Sequence, residues 1–463
     1  MTGIIRSLLH RFGRPGVMRN VAALAYGQLM RTTLQFISVP VFTYFWGLEE
    51  YGIWLLLFTL PGFLAMGDLG FNVAASNAII HAIETGDEQE AAEIFGTVRR
   101  LIFSFSITML AVAAVVLSLR PELIAWVAAG GVPALPTVLA LIGYGLVCLF
   151  ASTTLGGFRS TGAFAEAVFI FETTASIEIA ISLGVLALGG NLLHVALAYL
   201  LVRITGSVIS AVYLRRRAPV LFAPRKRTMR AVLRDLSGPA VAVMAVPIGH
   251  AVSLQGTVAV IGAVAGPAVV PLFTTARTLS RLPVQLTQVL VSAAMPQITK
   301  ARARGDKPSA DRLVGSVLGL SSPLLFLALL VLAIFGQRII SIWTHGVVHA
   351  DAALVAVLML SAFIYAHWLM ISNFILAANR QALYSYFFLG AAVVDLGAIA
   401  LLVPALGVEG AGLAVLLLDA VMLVWCIWQA ARIDILGLNT LRHVLSGGVL
   451  SDIRLLTGRN TGG

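Results

Sequence analysis

The segment VPLFTTARTLSRLPVQLTQVLV, residues 270–291, is apolar along most of its length yet carries Arg277 and Arg281 one helical turn apart. Its polar members Thr274, Arg277, Arg281, Gln285 and Gln288 recur every three or four residues, which places them on one face of a helix. An arginine at the centre of a spanning helix costs about 2.5–3.5 kcal/mol on insertion scales, so such a face turns toward a bundle interior or an aqueous cavity. Two readings of the stripe stand side by side. In one the cations face a ligand across water; in the other each arginine is neutralised by an acid, with Asp68, Glu172, Glu178, Asp395 and Asp419 available. The glutamine extension favours the hydrated face.

The rest of the chain sets that helix in a membrane. Hydrophobic residues make up 59% of the 463 and charged residues only 11%, with a mean hydropathy of +0.95. Those proportions exclude an ordinary soluble enzyme. Runs of about 20 apolar residues can cross the hydrocarbon core as helices, and the sequence predicts about twelve of them. In the first half they fall near 20–45, 52–80, 98–119, 134–158, 167–189 and 192–214. In the second they fall near 235–262, 268–295, 313–335, 352–378, 381–403 and 408–431. The expected fold class is therefore an all-α polytopic membrane protein.

The net charge of +10 raises nucleic acid as a partner, but the placement of the basic residues points to topology instead. With the amino terminus inside, the inner segments hold Arg6, Arg11, Arg14, Arg19, eight basic residues in 215–234 and five in 300–312, against Arg120 and Arg338 outside. That asymmetry is the positive-inside rule and predicts a multi-pass protein with both termini cytoplasmic. The two cysteines, Cys148 and Cys426, lie in expected helices and imply no disulfide. Nothing in the sequence asks for a metal or another cofactor.

The two halves repeat at an offset of about 219 residues. Gly86-Asp87 maps onto Gly305-Asp306, Gly96-Thr97 onto Gly315-Ser316 and Gly47 onto Gly266, with a drift of one or two by the turns at Gly189 and Gly407. Six spans per half is an even number, so both halves enter in the same orientation, and two six-helix lobes related by a pseudo-two-fold along the membrane normal are expected. The corresponding segments are a basic amphipathic amino terminus (1–19), an N-terminal lobe (20–214), a basic cytoplasmic linker (215–233), a C-terminal lobe (234–431) and a tail (432–463) able to form an interfacial helix.

In the first span Gln28, Arg31 and Gln35 repeat the three-and-four spacing. The 219 offset pairs Arg31 with His250 in the seventh, which is as readily a hydrogen-bonded bundle histidine. Arg203 and Asp419 sit at corresponding depths in the sixth and twelfth spans and read more readily as members of structural pairs. Asp68, Glu178 and Asp395 are candidates for carrying a proton or ion, since a desolvated carboxylate can hold a proton, or else they neutralise arginines. His367 joins them with less weight. Pro40, Pro61, Pro239, Pro247, Pro283 and Pro323 lie in or near spans and mark possible bends.

Several stretches resemble a known family. GLEEYGIW at 47–54 with GDLG at 67–70, FTTARTL at 273–279 and PALGVEGA at 404–411 are similar to the oligosaccharide-lipid flippases of the multidrug/oligosaccharidyl-lipid/polysaccharide exporter superfamily, over about residues 20–431. The resemblance implies two lobes around a lumen working by alternating access, and transport of a polyprenyl-diphosphate-linked oligosaccharide to the outer leaflet of a bacterial inner membrane for surface or exopolysaccharide synthesis. It also implies lumen cations at Arg31, Arg277 and Arg281; Gln28, Gln35, Gln285 and Gln288, from the helix-face spacing, and His250, from the repeat, are the expected polar lumen groups beside them. Pathway glycosyltransferases and a polymerase are the implied protein partners. The rival readings are a multidrug exporter of the same superfamily, and a polytopic glycan polymerase or glycosyltransferase. The outer segments near 120–133 and 336–351 hold few groups able to catalyse, so a non-enzyme is expected.

Overall fold

The computed structural model describes residues 15–67, 70–224, 228–378, 380 and 382–435. Asp68, Arg225–Arg227, the first fourteen residues and the expected interfacial tail from 436 lie outside the described residues. Every regular element among those described is helical. The helices are α1 (Pro15–Leu57), α2 (Thr59–Leu64), α3 (Phe71–Glu84), α4 (Glu88–Leu119), α5 (Ala134–Ser160), α6 (Phe164–Ala187), α7 (Leu192–Arg217), α8 (Met229–Ala251), α9 (Thr257–Ala265), α10 (Val270–Ala303), α11 (Lys307–Trp343), α12 (Ala352–Ala377), α13 (Ala382–Leu406) and α14 (Val408–Arg432).

Nine helical segments among the described residues are long and apolar enough to cross a membrane. They coincide with the third to seventh and ninth to twelfth expected spans. The other three are helical too, but two of them, the first and eighth, carry the polar stripes, and the glutamines and arginines that mark those stripes lower their hydropathy. The second expected span, 52–80, is a correction: it is discontinuous. It runs through the end of α1, the six-residue α2, turn residues at 65–67 and 70, and then α3. The seventh is interrupted as well, by a π-helical turn at Val252–Gly256. The two interruptions meet, because Gln255 lies so close to Gly62 that a Cβ there would fall 2.6 Å from its amide carbon.

Local chemistry explains several boundaries. Asp87 accepts a hydrogen bond from the Glu90 amide (2.8 Å) and Asp306 accepts one from the Ser309 amide (3.2 Å), so the two acids cap α4 and α11 in the same way. Each follows a glycine at positive φ, 82° at Gly86 and 72° at Gly305. Gly47 (φ 67°, ψ −167°) and Gly266 (φ 86°, ψ 162°) share a conformation open essentially to glycine alone. The repeat read from the sequence is therefore also a repeat of backbone conformation. At α7, Asn191 and His194 form a capping box, and Arg215, Arg216 and Arg217 occupy the last turn, where cations complement the helix dipole.

By contacts the chain divides between Gly262 and Ala263. In the N-terminal unit α5 packs on α7, α6 on α7, and α4 on α5, while α8, on the far side of the basic linker, packs on α3 and α4. Its interior is a cluster of rings, with Trp54 against Phe42, Phe58 and Tyr199, and Tyr144 against Phe58 and Tyr199. In the C-terminal unit α12 packs on α14, α11 and α10, and α13 on α14. Large apolar side chains also cover the outside, such as Ile107, Val115 and Leu119 of α4, which suits a surface facing lipid.

Candidate functional site

In the C-terminal unit α10 carries the stripe and meets α12, which in turn meets α14. Arg277 is buried, with 8% of its surface exposed. Arg281 lies 3.4 Å from the centre of the Tyr365 ring and places Nη2 3.8 Å from Asp419 Oδ2. Asp419 is fully buried and is held from two more sides: Ser361 Oγ donates at 2.5 Å and Trp368 Nε1 at 2.9 Å. One arginine of the pair is thus fixed by an acid, a ring and, through that acid, by α12.

Arg277 is held differently. Its guanidinium sits 5.7 Å from the Phe273 ring, forms no ion pair or hydrogen bond among the described residues, and encloses an Nε without an acceptor. Asp395 of α13 is 4% exposed, and neither carboxylate oxygen has a hydrogen-bond donor among the described residues. It interacts with Arg277 and Asp419 only through space. Farther along the stripe Gln288 Oε1 accepts from Asn373 at 3.5 Å, and Gln285 is half-buried. His367 lies off this cluster, bonded to Ser322 Oγ (2.8 Å) and to the Phe363 carbonyl (2.7 Å).

In the N-terminal unit Arg31 is mostly exposed, at 57% of its side chain, and its Nη1 is 3.0 Å from Glu172 Oε1 on α6. Gln28 donates to Thr32 at 3.2 Å, and Gln35 is exposed. Glycine at position 27 admits this pair, since a Cβ there would fall 2.7 Å from Glu172 Cγ. His250 is half-buried in the last turn of α8, just before the π-helical turn. Glu178 is buried in an ion pair with Arg203 of α7 (2.5 Å) and accepts a hydrogen bond from Tyr144 of α5 (3.1 Å).

Each unit therefore contains a buried charged cluster, and the two clusters occupy repeated positions. Tyr144, Glu178 and Arg203 recur about 217 residues later as Ser361, Asp395 and Asp419. The hydroxyl and the carboxylate persist, whereas the third position changes from a cation to an anion. In the N-terminal unit the sixth helix of the repeat supplies the positive charge; in the C-terminal unit the same place holds a second acid, and Arg277 and Arg281 of α10 supply the balance. Both clusters are neutral overall, as charges withdrawn from water require.

Sequence reasoning found the stripe and left the choice of acids open. Glu172, Glu178 and Asp419 prove to hold Arg31, Arg203 and Arg281. It missed Ser361, Tyr365 and Trp368; only Ser361 had a signal in the repeat, where offsets of 216 and 217 align Arg203 with Asp419 and Tyr144 with Ser361.

Residues 17–302 match the family model described as Polysaccharide biosynthesis protein. The chain belongs to that family. No curated protein matches it. Among solved structures it is similar to an inward-facing multidrug resistance MATE family transporter of the MOP superfamily, at 15% identity and a TM-score of 0.73 over 87% of this chain and 94% of that one. An outward-facing member matches at 15% identity and 0.62, over 90% and 95%. A MOP superfamily transporter from Pyrococcus furiosus, reported with a binding pocket of reversed polarity, matches at 15% identity and 0.61, over 94% and 98%. At such identity the likeness carries the fold alone: this family member has a MATE-like helical fold, with nine described segments long and apolar enough to cross a membrane.

Proposed function

We propose that the protein moves a polyprenyl-diphosphate-linked oligosaccharide from the cytoplasmic to the outer leaflet of a bacterial inner membrane, for lipopolysaccharide or exopolysaccharide synthesis. The observation that carries this reading is Arg277: a buried guanidinium without an ion pair, beside a second arginine fixed by Asp419. A diphosphate supplies the oxygens such a group lacks, in geometry suited to the planar guanidinium fork. In this reading Arg277 binds the diphosphate, Arg281 and Tyr365 set its position, and Gln285 and Gln288 meet sugar hydroxyls. Arg31, with Gln28, Gln35 and His250, serves as the cationic counterpart in the first half. The twelve spans form two six-helix lobes, both termini face the cytoplasm, and the substrate site alternates between the two sides without chemical change to the cargo.

Asp395 and Glu178 are the groups available for ion or proton coupling, and Asp68 remains a third by its sequence position. Pathway glycosyltransferases and a polymerase are the partners that fit. The specific support for a drug exporter is Asp395, a buried carboxylate without a hydrogen-bond donor, which would attract a cationic drug. The decisive experiment is Arg277→Ala and Arg277→Lys in the native host. Both variants should reach the membrane; alanine should stop glycan export and leave lipid-linked intermediate on the inner leaflet, while lysine keeps a fraction of it. Full export by Arg277→Ala, or altered drug susceptibility with export intact, would defeat this reading.

A further inference from the structure

A second cationic site lies in the N-terminal unit, and none of Tyr144, Glu178 and Arg203 lines it. A cavity of about 390 Å³ opens at the first part of α4, walled by Phe95, Arg99, Arg100, Phe103, Phe150 and the linker residue Phe222. Three rings surround the Arg99 guanidinium, with centres 4.7 Å (Phe150), 5.9 Å (Phe222) and 6.0 Å (Phe95) away. Rings at cation–π distance hold the guanidinium without using its N–H donors, which are left to bind. Arg99 has no hydrogen bond or ion pair among the described residues. Its Nη1 is enclosed without an acceptor, whereas Nε and Nη2 are not. Among the described residues no acid lines the cavity, and Arg100 adds an exposed cation at its rim.

Its depth is readable from α4. The apolar run from Leu101 to Leu119 spans about 28 Å at 1.5 Å per residue, close to the hydrocarbon thickness of about 30 Å. Arg99 and Arg100 therefore fall at the headgroup level, on the side that the charge distribution assigns to the cytoplasm. Phe103 lines the cavity and is 54% exposed, and exposed Ile107 continues its face one turn deeper. That apolar track suits an acyl chain below a bound headgroup. The linker closes the other wall: the turn Pro219–Phe222 packs on α4, and Gln89 Nε2 donates to the Pro224 carbonyl at 2.9 Å.

We propose that this cavity binds the phosphate of an anionic lipid headgroup, with Arg99 as the oriented donor and Arg100 as its rim cation. The site is independent of the substrate reading above. The test uses the purified full chain in detergent, titrated with a tail-labelled fluorescent phosphatidylglycerol, with phosphatidylcholine and sn-glycerol 3-phosphate as competitors. Wild type should bind saturably and resist phosphatidylcholine. Arg99→Gln and Arg100→Gln should each weaken binding about fivefold and the double variant about 25-fold, the scale expected for single cations at an anionic surface. The linker variant Arg215→Gln/Arg216→Gln/Arg217→Gln should change it less than about twofold, because none of the three lines the cavity and exposed charges outside it are screened by salt. Unchanged melting temperature and elution volume verify folding, and the exposed Arg100 supplies a variant with no packing to lose. Displacement by glycerol 3-phosphate as effective as by the lipid would uphold the phosphate site and make its source a soluble ester. Wild-type binding in the double variant, or equal loss in the linker variant, overturns the proposal.

Discussion

Replacing Asp419 with Asn tests whether the buried cluster of the C-terminal unit is held by charge. The amide keeps an acceptor for Trp368 Nε1 (2.9 Å) but removes the anion 3.8 Å from Arg281. Breaking one side of a buried ion pair costs about 3–5 kcal/mol, because the other charge stays behind unpaired. Arg281 retains the Tyr365 ring at 3.4 Å, an interaction of about 2 kcal/mol when desolvated. That contact is the same in both proteins and offsets nothing, but the 3.8 Å separation and the 20% exposure of the Arg281 side chain put the expected loss at the low end, about 3 kcal/mol. For a unit of this size each kcal/mol lowers the melting temperature by about 2–4 °C, so a fall of about 8 °C is expected. Arg281→Met should destabilise comparably by stranding Asp419. The double variant Asp419→Asn/Arg281→Met strands neither charge, and its loss should fall short of the sum of the singles by about 2 kcal/mol. The assay is a thermal melt of the purified protein in one detergent, with glycan export measured alongside. Additive losses across the cycle would refute the reasoning. Export recovered in the double variant, against none in Arg277→Ala, would separate a positioning arginine from a binding one.

Glu178→Gln should destabilise the N-terminal unit by about 3 kcal/mol, since Arg203 is then left without its 2.5 Å partner, while Tyr144→Phe, which removes one hydrogen bond to that pair, should cost about 1 kcal/mol on the same melting assay. Gly86→Ala and Gly305→Ala, at equivalent positive-φ turns before α4 and α11, should each cost about 1–2 kcal/mol, and similar losses at the two sites would bear out the repeat as a conformational one. Gly62→Leu should be far more damaging than either, because the Gln255 side chain already occupies the space its Cβ needs; a melting temperature unchanged from wild type would refute the packing of the two interrupted spans.

Most of the helical content was legible because an apolar run must satisfy its backbone within itself once it leaves water, and a helix does so. The face shared by Arg277, Arg281, Gln285 and Gln288 was legible for a related reason, since the spacing follows from 3.6 residues per turn. The broken second span was not. Pro61 and Gly62 signalled it only weakly, and the side chain packed against Gly62, Gln255, lies almost two hundred residues away. The Arg99 cavity was equally hidden, because Phe150 and Phe222 reach that arginine from another helix and from the linker.

The sequence by itself determined that the chain is a polytopic bundle, that its halves repeat, and that its expensive charges lie on particular helix faces. Each of those properties is set within one segment or by comparing one segment with another. Only the tertiary structure decided which charge neutralises which. Arg281 meets Asp419 rather than Asp395, and Arg203 meets Glu178, because pairing depends on the depth and rotation at which packed helices meet. Arg277, which sequence could not distinguish from Arg281, is left as the buried cation without an ion pair because α14 brings its acid to the neighbouring turn.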